Sequence, residues 1–297
     1  MKIGSHVSNS GSEMLLKAAQ EALSYQANCL MIYLGAPQNS YRKPVSDFKI
    51  KEARELLAEN NIKMTDIIVH APYITNLAQP DDPKRRFAID FIVKEIIMMD
   101  QIGAKILVVH PGADVGQGLE IGLEKIILSL EEILRKTPTS QTMLALETMA
   151  GKGTECCYKF EHLQKIITTI KSPRLKVCLD TCHIHDAGYD IINAYDQTIK
   201  EFSDTIGLDR LAVIHLNDSQ NDRGARKDRH ANIGFGKIGF TTLAKFAHDE
   251  RFKDIFKILE TPYVSEGKKE YPPYKHEIFM LRQGIFNPDL LGKIKED

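Results

Sequence analysis

Short, uninterrupted apolar runs alternate along almost the whole chain with longer stretches in which apolar residues recur every third or fourth position. The runs begin near Lys2, Leu30, Asp66, Lys105, Met143, Lys176, Leu211 and Lys257, the second reading LMIYLG from Leu30 to Gly35. Their lack of polar interruption suits parallel strands buried on both faces. Between them the spacing predicts helices over 13–25, 49–60, 84–102, 118–135, 160–170, 195–206 and 240–249. In the fourth of these, Leu119, Leu123, Ile126, Ile127, Leu130, Ile133 and Leu134 form one apolar face. Gly103 and Gly207 stand where two of the helices should stop. Strand–helix alternation implies a parallel sheet. Eight such units in 297 residues predict an α/β fold, a closed (β/α)8 TIM barrel spanning 1–297 as one domain. A doubly wound open sheet is the runner-up, but the glycine-rich turn it needs after the first strand is missing.

The polar residues that end the runs change this picture. IIVH ends on His70, ILVVH on His110, MLALE on Glu147, VCLD on Asp180, LAVIH on His215 and FKILE on Glu260. Asp, Glu and His together make up about one residue in six, so a polar loop residue explains any one ending but not the series. In a barrel, the C-terminal ends of all strands share one mouth. Two further candidates, Asp228 and His230, lie two apart in the loop after HLND, and in an extended segment would point the same way. His183, just past Asp180, would complete their grip on an ion.

The set holds five imidazoles (His70, His110, His183, His215, His230) and four carboxylates (Glu147, Asp180, Asp228, Glu260). That mixture favours zinc, or manganese or iron, over magnesium. Nine donors exceed one tetrahedral ion and suit two or three ions that keep positions open for water and substrate. Clustered ions of this kind serve phosphoester hydrolysis. Glu147 would bridge two ions or orient the attacking water; spacing leaves both roles open.

Composition adds boundaries. With 43% hydrophobic and 27% charged residues the chain is an ordinary globular protein. No run approaches the ~20 apolar residues of a membrane span. MKIGSHVS lacks the apolar centre of a signal peptide, which predicts a cytoplasmic protein with no membrane partner. Five irregularly placed cysteines fit a reducing compartment. Cys156 and Cys157 are adjacent, and Cys178 and Cys182 read as small fillers. A net charge of −1 does not mark a nucleic-acid binder, although bound cations would raise the potential at the mouth.

Eight motifs, in order, resemble the endonuclease IV family of apurinic/apyrimidinic DNA repair enzymes. They are GSHVS at Gly4, HAPY at His70, HPG at His110, ETMAGKG at Glu147, LDTCH at Leu179, HLND at His215, KDRHANIG at Lys227 and LETP at Leu259. The resemblance implies a barrel with three zinc ions that cuts double-stranded DNA on the 5′ side of an abasic site, leaving a 3′-hydroxyl and a 5′ deoxyribose phosphate. It places His70 and His110 on one zinc, with Glu147 shared to a second. Asp180, His215 and Glu260 complete that second zinc, and His183, Asp228 and His230 hold the third. It also implies base-flipping loops that fill the abasic gap. Tyr73 matches one such position. Asn39 stands where some members carry an arginine, with Tyr41 or Arg42 as substitutes. Arg223, Arg226, Lys227, Arg229 and Lys152 are candidates for backbone contacts. No obligate protein partner is implied. The rival reading is a metal-dependent sugar isomerase or epimerase on the same barrel, which needs one or two ions and has no task for Asp228, His230 and His183. A non-catalytic DNA-binding or metal-storing barrel is disfavoured, because open carboxylate-rich sites store metal poorly.

Overall fold

Each apolar run pairs in parallel with the next. In a computed structural model that describes residues 1–295, the pairing strands are β1 (Lys2–His6), β2 (Cys29–Ile32), β3 (Ile67–His70), β4 (Ile106–Val109), β5 (Met143–Glu147), β6 (Leu175–Asp180), β7 (Leu211–His215) and β10 (Phe256–Leu259). β10 returns to β1, with Lys2 opposite Phe256 and Ser5 opposite Leu259, and so closes the barrel. Alternate strand residues, including Met31, Ile68, Val108, Ala145, Val213 and Ile258, fill the lumen. Their neighbours, such as Ile32, Val69, Leu107, Leu146 and Leu179, pack against the helices. That double burial is why the runs carry no polar alternation. Gly4 is needed at the first seam, since a Cβ there would lie only 1.8 Å from the Cys29 carbonyl oxygen.

The outer layer consists of α1 (Leu15–Ser24), α2 (Ile50–Glu59), α3 (Asp82–Ile102), α4 (Leu119–Lys136), α5 (Phe160–Ile170), α7 (Tyr195–Thr205) and α8 (Phe240–His248). Signals at the helix ends act as the sequence suggests. Asp81 caps α3 by accepting the Lys84 amide at 3.0 Å, and Gly103 ends the helix at φ 96°. The second strand stops at Ile32, short of the expected Gly35.

Several elements fall outside the sequence expectation. A short helix, α6 (Thr181–Ala187), follows β6 directly. A ladder of β8 (Asp218–Ser219) and β9 (His230–Ala231) ties the loop after β7 to itself. Beyond β10 come a hairpin, β11 (Val264–Glu266) and β12 (Lys269–Tyr271), then α9 (Tyr274–Gln283) and α10 (Leu290–Lys293).

Candidate metal centre

β3, β5, β6 and β7 end on His70, Glu147, Asp180 and His215, and β4 and β10 stop one residue before His110 and Glu260. The strand ends therefore deliver six side chains to one mouth. Glu147 stands at its centre. Its Oε2 lies 3.2 Å from His70 Nε2 and 3.1 Å from His110 Nε2, and its Oε1 lies 2.9 Å from His215 Nδ1. His215 Nδ1 also faces Glu260 Oε2 at 3.0 Å and Asp180 Oδ2 at 3.8 Å. A cavity of about 450 Å³ opens above, lined by seven of the nine candidates. Asp180 and His215 lie fully buried beneath it.

The remaining candidates arrive on α6 and the loop after β7. Asp180 accepts the His183 amide at 2.8 Å and so caps α6, while its other oxygen faces the mouth. LDTCH is thus a strand end, a helix cap and a ligand-capable imidazole in one turn. His183 Nε2 lies 3.0 Å from Asp228 Oδ1, and His230 Nε2 lies 3.7 Å from both Asp228 Oδ1 and Asp180 Oδ2. Asp228 and His230 do meet, but not as neighbours in an extended segment. Asp228 has φ 58°, so a left-handed turn, not strand alternation, brings the pair together.

Carbonyl oxygens fix three imidazoles. His70 Nδ1 donates to Ala71 O at 2.7 Å, His183 Nδ1 to Thr148 O at 2.8 Å and His230 Nδ1 to Glu260 O at 3.2 Å. Each ring thereby turns its Nε2 towards the mouth, the arrangement that orients metal-binding histidines. Burial alone would push the Glu147 carboxyl up, but His215 and His110 beside it hold it well below the usual range. Burial likewise opposes charge on His183, yet Asp180 and Asp228 raise it well above its ordinary value. Asp228, against its own burial, is held at about 2 by the hydrogen bond from His183. These carboxylates stay ionised, neutralised either by protons on the imidazoles or by cations that replace those protons.

Two observations fit divalent cations here. His230 Nε2 is buried without a hydrogen-bond partner, 3.7 Å from each of two carboxylate oxygens. The donor atoms of His70, His110 and Glu147 lie within 4.8 Å of one another, as do those of His183, Asp228 and His230, and those of His70, His215 and Glu260. Mixed imidazole–carboxylate sets of this size suit zinc, manganese or iron. Cys178 lies as close to Glu147 and His215, but burial pushes its thiol up to about 12, so it keeps its proton and acts as lumen filler.

Over residues 19–283 the chain matches the Xylose isomerase-like TIM barrel family. It is 52% identical over 299 residues to the protein of Bacillus licheniformis named "Probable endonuclease 4", covering 100% of this chain and 99% of that one. The chain belongs to the endonuclease IV family. The endonuclease IV structure from Thermus thermophilus superposes with a TM-score of 0.82 at 28% identity, covering 96% of this chain and 98% of that one. A D-tagatose 3-epimerase-like protein shares the fold at TM-score 0.68 and 19% identity, with 100% and 99% covered.

This member of the endonuclease IV family places side chains at the mouth that the strand-end pattern did not flag. β1 also ends on an imidazole, His6, whose ring lies 4.8 Å from that of Tyr33, itself 5.4 Å from His70. Burial lowers His6 to about 4, so it is neutral. Gly4 and Ser5 interrupt its strand and hid the pattern. Asn217 donates to Asp180 Oδ2 at 2.8 Å and accepts the Glu260 amide at 2.8 Å, joining two candidate ligands. Lys152 and Glu155 line the cavity wall beside His110.

The candidate DNA contacts separate. Tyr73 stands on the rim, 60% exposed, with its ring 5.6 Å from that of His110. Tyr41 is also exposed, at 69%. Asn39 is exposed and does not line the cavity, and its side chain accepts the Tyr41 amide at 3.0 Å. Arg42 does not serve as a gap filler. It is buried, 2.6 Å from Glu95, and its guanidinium donates to the Asn39 and Tyr41 carbonyls. An arginine so enclosed anchors its loop. Arg226 is exposed, with its guanidinium 4.9 Å above the Tyr158 ring, and Arg229 and Lys227 are exposed on the same loop. Arg223 is paired with Asp190.

Proposed function

We propose that the chain is a hydrolase of DNA repair, an endonuclease that cuts the phosphodiester 5′ to an abasic site in double-stranded DNA. The observation that carries this reading is the meeting of three donor sets around Glu147. In this reading His70 and His110 would hold one ion, Asp180, His215 and Glu260 a second, and His183, Asp228 and His230 a third, with Glu147 available to the first two. Zinc suits this donor set best. When bound, such ions bring a water near neutral ionisation and stabilise charge on the phosphoryl oxygens.

The chain's own groups do the rest. The two Glu147 oxygens meet different imidazoles, Oε2 those of His70 and His110 and Oε1 those of His215 and His183, an arrangement suited to bridging two ions or orienting the attacking water. Water adds to phosphorus, the bond to the upstream 3′ oxygen breaks, and that oxygen leaves protonated, giving a 3′-hydroxyl and a 5′ deoxyribose phosphate. Lys152, at the cavity wall, is placed to pair with a backbone phosphate, and exposed Tyr73 to occupy the gap left by the missing base. Arg226 and Arg229 supply charge along the flanking strand. The substrate makes this a protein of the cytoplasm, and no helix among the described residues is long and apolar enough to cross a membrane.

The test is direct. Zinc-loaded protein should nick a duplex carrying one tetrahydrofuran abasic analogue without added magnesium; intact duplex refutes the proposal. The epimerase reading rests on fold likeness alone. One bound ion per chain and epimerisation of a ketose would favour it.

A further inference from the structure

Asp186 has no place at the mouth, yet it is fully buried and both its oxygens are engaged. It sits in the last turn of α6. One oxygen accepts the Ser219 hydroxyl at 2.6 Å; the other accepts the Asn221 side-chain amide at 3.0 Å and the backbone amide of Asp228 at 2.9 Å. The Asp186 carbonyl accepts the Arg226 amide at 3.0 Å, and the neighbouring His185 carbonyl accepts that of Gly224 at 3.0 Å. His185 Nε2 donates to Asn221 O at 3.1 Å. The loop is therefore wound around the C-terminal turn of α6.

This winding holds Arg226 and Asp228 at φ 53° and 58°. Non-glycine residues adopt that left-handed conformation uncommonly, and here the backbone amides of both residues bond to Asp186. The same helix carries His183, whose Nε2 meets the Asp228 carboxylate at 3.0 Å. One helix thus grips Asp228 twice, by its amide through Asp186 and by its carboxylate through His183.

We infer that Asp186 is the positioning residue for the third divalent cation, holding the Asp228 turn in the form that completes the His183–Asp228–His230 donor set. The inference rests on the three-ion reading above. Asp186 touches no reacting atom. Its part is to satisfy a part-buried amide that, left alone, favours relaxation of the turn. Relaxation towards the extended form swings the Asp228 carboxylate out of the donor set, leaving two imidazoles to hold the ion.

Metal content, measured by mass spectrometry on zinc-loaded and dialysed protein, reads this role directly. Wild type should hold three zinc ions per chain and Asp186→Ala two, with cooperative thermal unfolding in both. Asp186→Asn should restore three: its amide oxygen still accepts the Asp228 amide, and its NH₂ donates to the Ser219 hydroxyl. An Asp186→Ala protein that keeps three ions overturns the inference. If Asp186→Ala gives no cooperative melt, Asp186→Ser takes its place, since its hydroxyl is too short to reach the Asp228 amide, and loss of one ion is expected again. Failure of both to fold, beside a normal Asp186→Asn, would make Asp186 a requirement of the fold and overturn the inference. A wild-type chain with fewer than three ions overturns the three-ion reading itself, and this inference with it.

Discussion

Glu147 has its two oxygens committed to different partners, Oε2 to His70 and His110 and Oε1 to His215. A glutamine keeps the shape but turns an NH₂ towards an imidazole and removes the charge. Glu147→Gln should therefore lower the nicking rate by a factor on the order of 100 or more. Binding of abasic duplex, measured by fluorescence anisotropy, should change little. Near-normal turnover would remove Glu147 from the centre of the reaction. At this scale the candidate set was legible because a carboxylate or imidazole at the close of a fully apolar run is conspicuous. His6 was not, because glycine and serine precede it. The Asp228–His230 spacing was visible, but its left-handed turn was not, since that backbone is imposed by α6, remote in sequence.

Among the elements, the barrel strands were readable because burial on both faces leaves only apolar residues. α6 was not, since every residue from Thr181 to Asp186 is buried, which leaves no polar face to give a period. α9 was hidden differently. Its buried face carries a charged residue, Glu277, which accepts from the Thr261 hydroxyl, the Ile233 amide at 2.9 Å and the Asn232 side chain at 3.1 Å. Burial outweighs those hydrogen bonds and pushes the Glu277 carboxyl up to about 7 from 4.5. The folded chain thus binds this proton more tightly than the unfolded one. Its contribution is complete below pH ~4.5 and is lost as pH rises towards ~7, a loss on the order of 3 kcal/mol. Glu277→Gln should remove that slope. Urea midpoints between pH 5 and 8 should fall more for wild type than for the variant, and parallel curves would contradict this.

For the whole molecule, a net charge of −1 gave no hint of a DNA partner, because it counts carboxylates and omits any cations they hold. Ions bound only by the folded chain stabilise it by mass action, by ~4 kcal/mol per site at a thousandfold excess over Kd. Stripping with a chelator should lower the melting temperature by on the order of 10 °C, with recovery on adding zinc. Indifference of the melt to chelation would argue against ions in the mouth. The eightfold alternation made closure readable, but which loops cover the mouth was settled by packing between distant parts of the chain. The cluster draws on residues from His70 to Glu260, and its last carboxylate follows the strand that seals the ring. A polypeptide still emerging from the ribosome therefore owns most of the imidazoles long before it owns a cage for them. A chain that ends before that strand lacks both the closing seam and the last candidate ligand, and so has no mouth at which a metal cluster could form.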